Sequence, residues 1–368
     1  MNQNVRIGVV GCGNVAMGSY LPYVRQLQGQ GVAVAVTAAC DVEGARRAPM
    51  REQFGIDTFS TRYEDVINSP DVDVVLVLTS MPQHGTITRA ALGAGKHVMV
   101  EKPMAMMLDE AAEIVELGRR SPGHLLCAPH VVLSETYQAM WRRVHSGEIG
   151  KVLSARGLYG WSGPNWGAWY YQPGGGSLFD LGVYNITTLT GLLGPVQRVM
   201  AMSGIAIPER MVNGERVQVQ ADDNFQLLLD FGEAVFAVVS TGFTMQRYRC
   251  AGIELYGSEG TLQMIGEDWD PKGYELWRND AGCWQVYEAA SRWRWTDGLR
   301  HLIECVQTGT PPIITPEHAY HVLEIMLKTL ESGKDGTAKP IESSFVPPRF
   351  DKPTEPGAAH LVHDPGRT

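Results

Sequence analysis

One lysine is placed to do chemistry, in the stretch Gly95-Lys96-His97-Val98-Met99-Val100-Glu101-Lys102-Pro103. The apolar run, bounded by Gly and Pro, predicts a short buried strand that ends in a charged pair. In an open parallel sheet the carboxyl ends of the strands rim the ligand crevice, so Lys102 stands where it would meet a bound molecule. The competing account is an ordinary surface-turn lysine. Earlier residues favour the first account. Val5 to Val10 reads as an apolar strand, followed by Gly11-Cys12-Gly13-Asn14-Val15-Ala16 and a helix from Asn14 to Gln28. In this G-x-G-x-x-A turn, Gly11 permits the tight bend and Gly13 lets the backbone approach a pyrophosphate. Ala16 allows close helix packing, and the helix start at Asn14 and Val15 faces the phosphates. A second strand, Val32 to Ala39, leads to Asp41, where a carboxylate would hold an adenosine ribose. That carboxylate would repel a 2′-phosphate, which favours NAD; Arg46 or Arg47 leaves NADP possible.

These residues need a scaffold, and the pattern supplies one. Helices are expected over Val42–Phe54, Tyr63–Asn68, Thr86–Gly93 and Leu108–Arg119, alternating with strands at Val72–Leu78, His97–Val100 and His124–Ala128. The run Val72–Leu78 is apolar throughout, as in a parallel sheet buried on both faces. The expectation is a doubly wound nucleotide domain over residues 1–128. A second α/β domain, 129–344, opens with a helix (Ser134 to His145) and a strand (Lys151 to Tyr159). An aromatic loop and Gly174-Gly175-Gly176 then lead into a helix from Ser177 to Leu193 that carries Asp180 and Tyr184. The β runs beyond it lack intervening helices, which predicts a large, mostly antiparallel open sheet. Two helices, Trp293–Thr308 and Pro316–Ser332, close this domain. Residues 345–368 read as an extended or disordered tail.

Composition narrows the classes. The chain has 368 residues, enough for two cores, and its net charge of -9 with no basic run argues against a nucleic-acid partner. No apolar run reaches the ~20 residues of a membrane helix. The N-terminus enters a strand at once, which leaves no room for a signal peptide. Six scattered cysteines read as small buried hydrophobes in a reducing cytoplasm. His318, His321 and His97 lack partners spaced to complete a metal site, so no metal is expected. Met104, Met106 and Met107 read as core packing.

The ordered set GCGNVA, Asp41, TSMPQH, AGKHVMVEKP and GGGSLFDLGVY resembles the Gfo/Idh/MocA family, over residues 5 to 340. The resemblance implies a Rossmann domain followed by an α/β domain on an open sheet, acting with NAD or NADP on sugars, cyclitols and related polyols. It makes Lys102 the catalytic lysine, and Asp180 and Tyr184 the acidic and His/Tyr positions of the substrate helix. Many members carry His at the last place. Tyr184 resembles the glucose–fructose oxidoreductase and dihydrodiol dehydrogenase branches, and leaves Lys102 and Tyr184 both open as proton acceptor. The same motifs add Thr79, His84 and Glu101 to the cofactor residues; His84 either borders the nicotinamide or caps its helix.

Alcohol oxidation removes a hydride and a proton, and a positioned base assists the second. Asp180 and Tyr184, four apart on a helix, share a face. The implied activity is a dehydrogenase or reductase of a sugar, glycoside or cyclitol; the alternative is a nucleotide-binding sensor without turnover. Trp161, Trp166, Trp169, Tyr170 and Tyr171 precede the substrate helix, and at least one of Trp166 and Trp169 is expected to line the substrate cleft. The other reading of these rings is packing or a subunit contact. A sheet with too few helices to cover both faces predicts a homodimer or homotetramer.

Overall fold

The structure, a computed structural model, describes residues 4–289 and 293–350 and the backbone of 359–362. The chain divides into two compact units, Met1–His130 with Thr296–Tyr320, and Val131–Trp295 with His321–Thr368. The segment Thr296–Tyr320, expected in the second domain, thus belongs with the first unit. The reason is visible in its contacts: Tyr23 donates to Asp297, and Gln307 donates to the Ala33 carbonyl (3.3 Å).

In the first unit six parallel strands run β1 (Val5–Val10), β2 (Val34–Cys40), β3 (Phe59–Ser60), β4 (Val74–Val77), β5 (His97–Val100) and β6 (Leu125–Cys127). Their order is β3-β2-β1-β4-β5-β6, the doubly wound arrangement. Every residue of β4 is buried, as its unbroken apolar run demands. The order reverses between β1 and β4, and the crevice outside their carboxyl ends is where this architecture takes a ligand. Met104 is buried as expected, whereas Met107 is 64% exposed just before the helix Leu108–Arg120.

The second unit begins with the helix Glu135–His145, capped by Ser134, whose hydroxyl accepts from the Tyr137 N–H. Its strands are β7 (Val152–Gly160), β8 (Arg198–Gly204), β9 (Glu209–Val212), β10 (Glu215–Gln218), β11 (Asn224–Asp230), β12 (Phe236–Gly242), β13 (Ile253–Gly257), β14 (Gly260–Glu267), β15 (Asp270–Arg278), β16 (Cys283–Glu288), β17 (Lys339–Pro340) and β18 (Ala359–Val362). Among the described residues, ten of them form one sheet ordered β17-β8-β11-β12-β7-β13-β14-β15-β16-β18. Its pairs are antiparallel except β12 with β7. Alternation of buried and exposed residues along β8, β11 and β12 shows one face packed and the other open. Met200, Met202, Leu228, Phe236 and Val238 lie on the open face.

The hairpin β9–β10 stands apart and turns at Asn213-Gly214, both with positive φ. The sequence reading gave this hairpin no place of its own among the β runs, although Asn-Gly between two β-prone runs is its signal.

The tail departs from expectation. Phe345 and Phe350 are buried, Phe345 against His321 and Phe350 against Tyr137 and Trp141, because two aromatic rings hold an otherwise irregular segment. The rest of the expected tail, apart from the β18 backbone, lies outside the described residues. Cys12, Cys40, Cys127 and Cys305 are buried as expected; Cys283 is half-buried and Cys250 is exposed.

Candidate active site

At the glycine turn the residues fit a dinucleotide. Gly11 has φ +95, and a Cβ there would sit 2.6 Å from the Leu78 carbonyl, so only glycine fits. A Cβ on Gly13 would meet nothing within 4 Å, which leaves open space above the turn for a pyrophosphate. The helix begins at residue 14, with Asn14 and Val15 exposed. Asp41 is fixed by two backbone donors, Cys12 N–H (2.8 Å) and Glu43 N–H (2.9 Å). Its carboxylate therefore sits beside the glycine turn, as a ribose contact requires. Arg46 is paired with Glu43 (3.2 Å), and Arg47 donates to the Phe59 carbonyl (3.0 Å) while lying over the Phe59 ring.

The helix after the turn contains a π-turn, Ala16–Tyr20, before Leu21–Gly29. Tyr20 on that turn donates to Glu101 Oε1 (2.6 Å), and Lys102 N–H donates to Glu101 Oε2 (3.2 Å). The buried Glu101 carboxylate thus anchors the tip of β5, and Lys102 follows directly at the carboxyl end of that strand. Glu101 reaches the site as a brace. Tyr20 went unnoticed in the sequence because its partner is 81 residues away.

His84 is 1% exposed. Its Nδ1 faces the Pro103 carbonyl (2.8 Å) and its Nε2 the Thr79 carbonyl (3.0 Å). The one N–H of the neutral ring donates to one of these two carbonyls and the other carbonyl faces the second nitrogen, so His84 sits between the segments after β4 and β5 instead of bordering a ligand through its nitrogens. Burial lowers its pKa. Thr79, half-buried, contributes that carbonyl at the end of β4.

In the second unit the substrate helix also opens on a π-turn, Leu178–Gly182, continuing as Val183–Leu193. The expected unbroken α-helix is therefore wider by a residue where Asp180 sits, which re-aims that side chain relative to Tyr184. Glycine brings the helix close to the sheet: a Cβ on Gly182 would meet Thr241 of β12 at 3.0 Å, and one on Gly157 of β7 would meet Asn185 at 2.9 Å. Buried Asp268 also holds the helix, accepting from Thr188 (2.6 Å) and Asn185 (2.9 Å); burial pushes its pKa up to about 7.

Asp180 and Tyr184 lie near Tyr159 of β7. The Tyr159 and Tyr184 rings meet edge to face at 5.9 Å, and the Tyr159 pKa is raised by burial first and then by Tyr184, Asp180, Glu267 and Tyr248. These last two and Tyr159 extend the site beyond the sequence reading. Tyr159 ends the strand read over Lys151 to Tyr159, and the two-residue period of a strand places it on the same face as Gly157; Tyr248 and Glu267 carried no local signal.

The aromatic loop divides by role. Tyr171 is buried with Leu181, Val212, Val219 and Phe243, and Trp161 and Tyr170 pack against that cluster. Trp166 (48% exposed) stacks on Trp161, and Trp169 (42% exposed) on Tyr170, each with one face on a partner ring. The triple glycine serves this loop. Gly176 N–H bonds the Tyr170 carbonyl (2.7 Å), and a Cβ on Gly175 would strike the Trp169 carbonyl at 2.5 Å, so the space at Gly175 is taken by loop backbone.

No group of three or more potential metal ligands occurs among the described residues. His321 accepts from the Val196 N–H (2.9 Å) and faces Ser343, a structural clamp. No helix among the described residues is long and apolar enough to cross a membrane.

A doubly wound dinucleotide unit, followed by a unit built on an open sheet with a helix that carries Asp180 and Tyr184, defines a nicotinamide-dependent oxidoreductase class. The chain belongs to the Gfo/Idh/MocA family: residues 5–126 match the oxidoreductase-family NAD-binding Rossmann fold, and residues 137–263 match the Gfo/Idh/MocA C-terminal domain. It is similar to 1,5-anhydro-D-fructose reductase of Ensifer adhaerens, with 28% identity across 92% of this chain and 99% of the relative. It is also similar to dTDP-3,4-didehydro-2,6-dideoxy-alpha-D-glucose 3-reductase of Streptomyces violaceoruber, with 30% identity across 73% and 75%. Levoglucosan dehydrogenase, solved in complex with NADH and levoglucosan, shares the fold at a TM-score of 0.75, with 19% identity over 92% of this chain and 100% of that one.

Proposed function

We propose that this chain transfers a hydride between NAD and a hydroxyl or keto carbon of a sugar, glycoside or cyclitol. Supporting this, the relatives named above are sugar reductases and dehydrogenases. The observation that carries the reading is the β5 tip: Glu101, gripped by Tyr20, fixes the backbone from which Lys102 projects at the rim of the nucleotide crevice. Gly11, Gly13, Asn14, Val15 and Asp41 would hold the dinucleotide, with Thr79 and Glu101 shaping the crevice wall. NAD supplies the hydride acceptor. Lys102 takes the hydroxyl proton or stabilises the alkoxide, with Tyr184 as the alternative acceptor; Asp180 orients the sugar hydroxyls.

The test mixes protein, NAD and a panel of neutral sugars, glycosides and cyclitols, and follows absorbance of the reduced nicotinamide. Turnover with at least one of them is expected. Lys102→Ala should lower kcat by about 10²–10⁴-fold, the usual range for losing a positioned acid or base, while NAD affinity by calorimetry stays near wild type. A variant that keeps most of its kcat removes Lys102 from the mechanism.

The same reading includes self-association through the open face of the large sheet, which exposes Met202 (78%), Phe236 and Val238 together.

A further inference from the structure

We infer that the stacked Trp161–Trp166 pair forms a second sugar subsite, so that the preferred substrate is a neutral glycoside of two or more rings. This rests on the sugar oxidoreductase reading and extends it to substrate size. The pair, with ring centroids 5.4 Å apart and planes 30° from parallel, borders a cleft of about 470 Å³ in the second unit. That is within the range of small-molecule pockets, roughly 300–1,000 Å³. Neither Asp180 nor Tyr184 lines it. The cleft therefore takes a group other than the reacting ring.

Tyr171 connects the two places. It lines the cleft, packs with Leu181 next to Asp180, and lies near enough to Asp180 to feel its charge, although burial is the main cause of its raised pKa. A ring on the tryptophan pair and a ring at Asp180 are thus neighbours across one side chain.

The lining also selects the ligand's charge. Arg210 is its cation, and that guanidinium already donates to Asp223 (2.8 Å), to the Phe243 carbonyl (2.7 Å) and to the Ser162 carbonyl. Glu209 at the rim is engaged too, accepting from Arg216 (3.3 Å) and Gln218 (2.7 Å). A phosphate finds in this lining only a guanidinium already held by Asp223 and two carbonyls, whereas a neutral ring offers C–H faces to the indoles and hydroxyls to Asn165.

The experiment compares kcat/KM for glucose with that for methyl glucoside, maltose, cellobiose and glucose 1-phosphate, in wild type, Trp166→Ala and Met211→Trp. The second variant fills the cleft from its exposed hairpin wall. In parallel, tryptophan fluorescence is titrated with maltose and cellobiose without NAD. The expected result is a preference for at least one disaccharide over glucose, which falls about tenfold in both variants, the size of losing one apolar pocket contact. The disaccharide should quench wild-type fluorescence, and Trp166→Ala should abolish that response. No disaccharide preference and no fluorescence response would overturn the subsite. So would an unchanged preference with altered oligomeric state, which makes the pair a subunit contact. Disaccharide binding by fluorescence with no turnover of any sugar would leave the subsite standing and remove the oxidoreductase reading.

Discussion

At the scale of the residue, Asp41 carries the expectation that NAD is preferred over NADP. Its carboxylate is held against the glycine turn by Cys12 and Glu43 N–H groups, so it cannot swing away from a 2′-substituent. The two arginines that might have neutralised a 2′-phosphate are committed, Arg46 to Glu43 and Arg47 to Phe59. Like-charge juxtaposition in a site costs several kcal/mol. NAD should therefore exceed NADP in kcat/KM by about tenfold or more, and Asp41→Ser should narrow the gap; a wild-type preference for NADP would overturn the assignment. Asp41 was legible from its spacing alone. The arginines' commitments were not, because each depends on a tertiary contact.

At the scale of elements, the substrate helix is held by a buried acid. Asp268 binds Asn185 and Thr188, one and four residues beyond Tyr184, and its pKa is pushed up to about 7 by burial. Unfolded, it titrates near 3.9. The folded value is the higher one, so this group's contribution to stability is complete below about pH 3.9 and is lost as pH rises through about 7. Asp268→Asn cannot ionise. Its stability relative to wild type should therefore rise, by a few kcal/mol, between pH 4 and 7 in urea unfolding. Asp268→Ala leaves two buried polar groups without their acceptor and should cost about 2–4 kcal/mol at pH 5. It should also lower kcat/KM for the sugar by loosening Tyr184. A flat difference between wild type and Asp268→Asn across that range would show that Asp268 does not titrate there.

Elements were legible where one pattern decided them. β1 and β5 appear with the bounds their apolar runs predict, Val5–Val10 and His97–Val100. The two π-turns were not legible, since Ala16–Tyr20 and Leu178–Gly182 keep an ordinary helical composition and the extra residue is imposed by packing. The site follows the same division. Gly11, Gly13, Asp41 and Lys102 announce themselves by position, whereas Tyr20, Tyr159 and Glu267 enter only when the sheets form.

For the whole molecule, the ten-stranded sheet leaves Met200, Met202, Leu228, Phe236 and Val238 exposed on alternate positions of three adjoining strands. A contiguous apolar face of that kind is what the proposed self-association would cover. Light scattering at micromolar concentration should find a dimer or tetramer. Phe236→Lys with Val238→Lys should shift it to monomer while leaving the far-UV spectrum intact, since both side chains point away from the packed face. A monomeric wild type would count against the proposal.

The return of Thr296–Tyr320 to the first unit has a consequence for synthesis of the chain. The nucleotide-binding unit is encoded in two pieces, and its later piece supplies Asp297 to Tyr23 and Gln307 to the end of the loop before β2. At roughly 5–20 residues per second, a ribosome spends about 8–33 s making everything between them. Throughout that interval the glycine turn and the β5 tip exist on a unit still missing a helix, while the intervening sheet is already available to fold. A fragment cut at residue 130 freezes that incomplete stage, so a minimal nucleotide-binding protein made from this chain needs Thr296–Tyr320 grafted on by a linker.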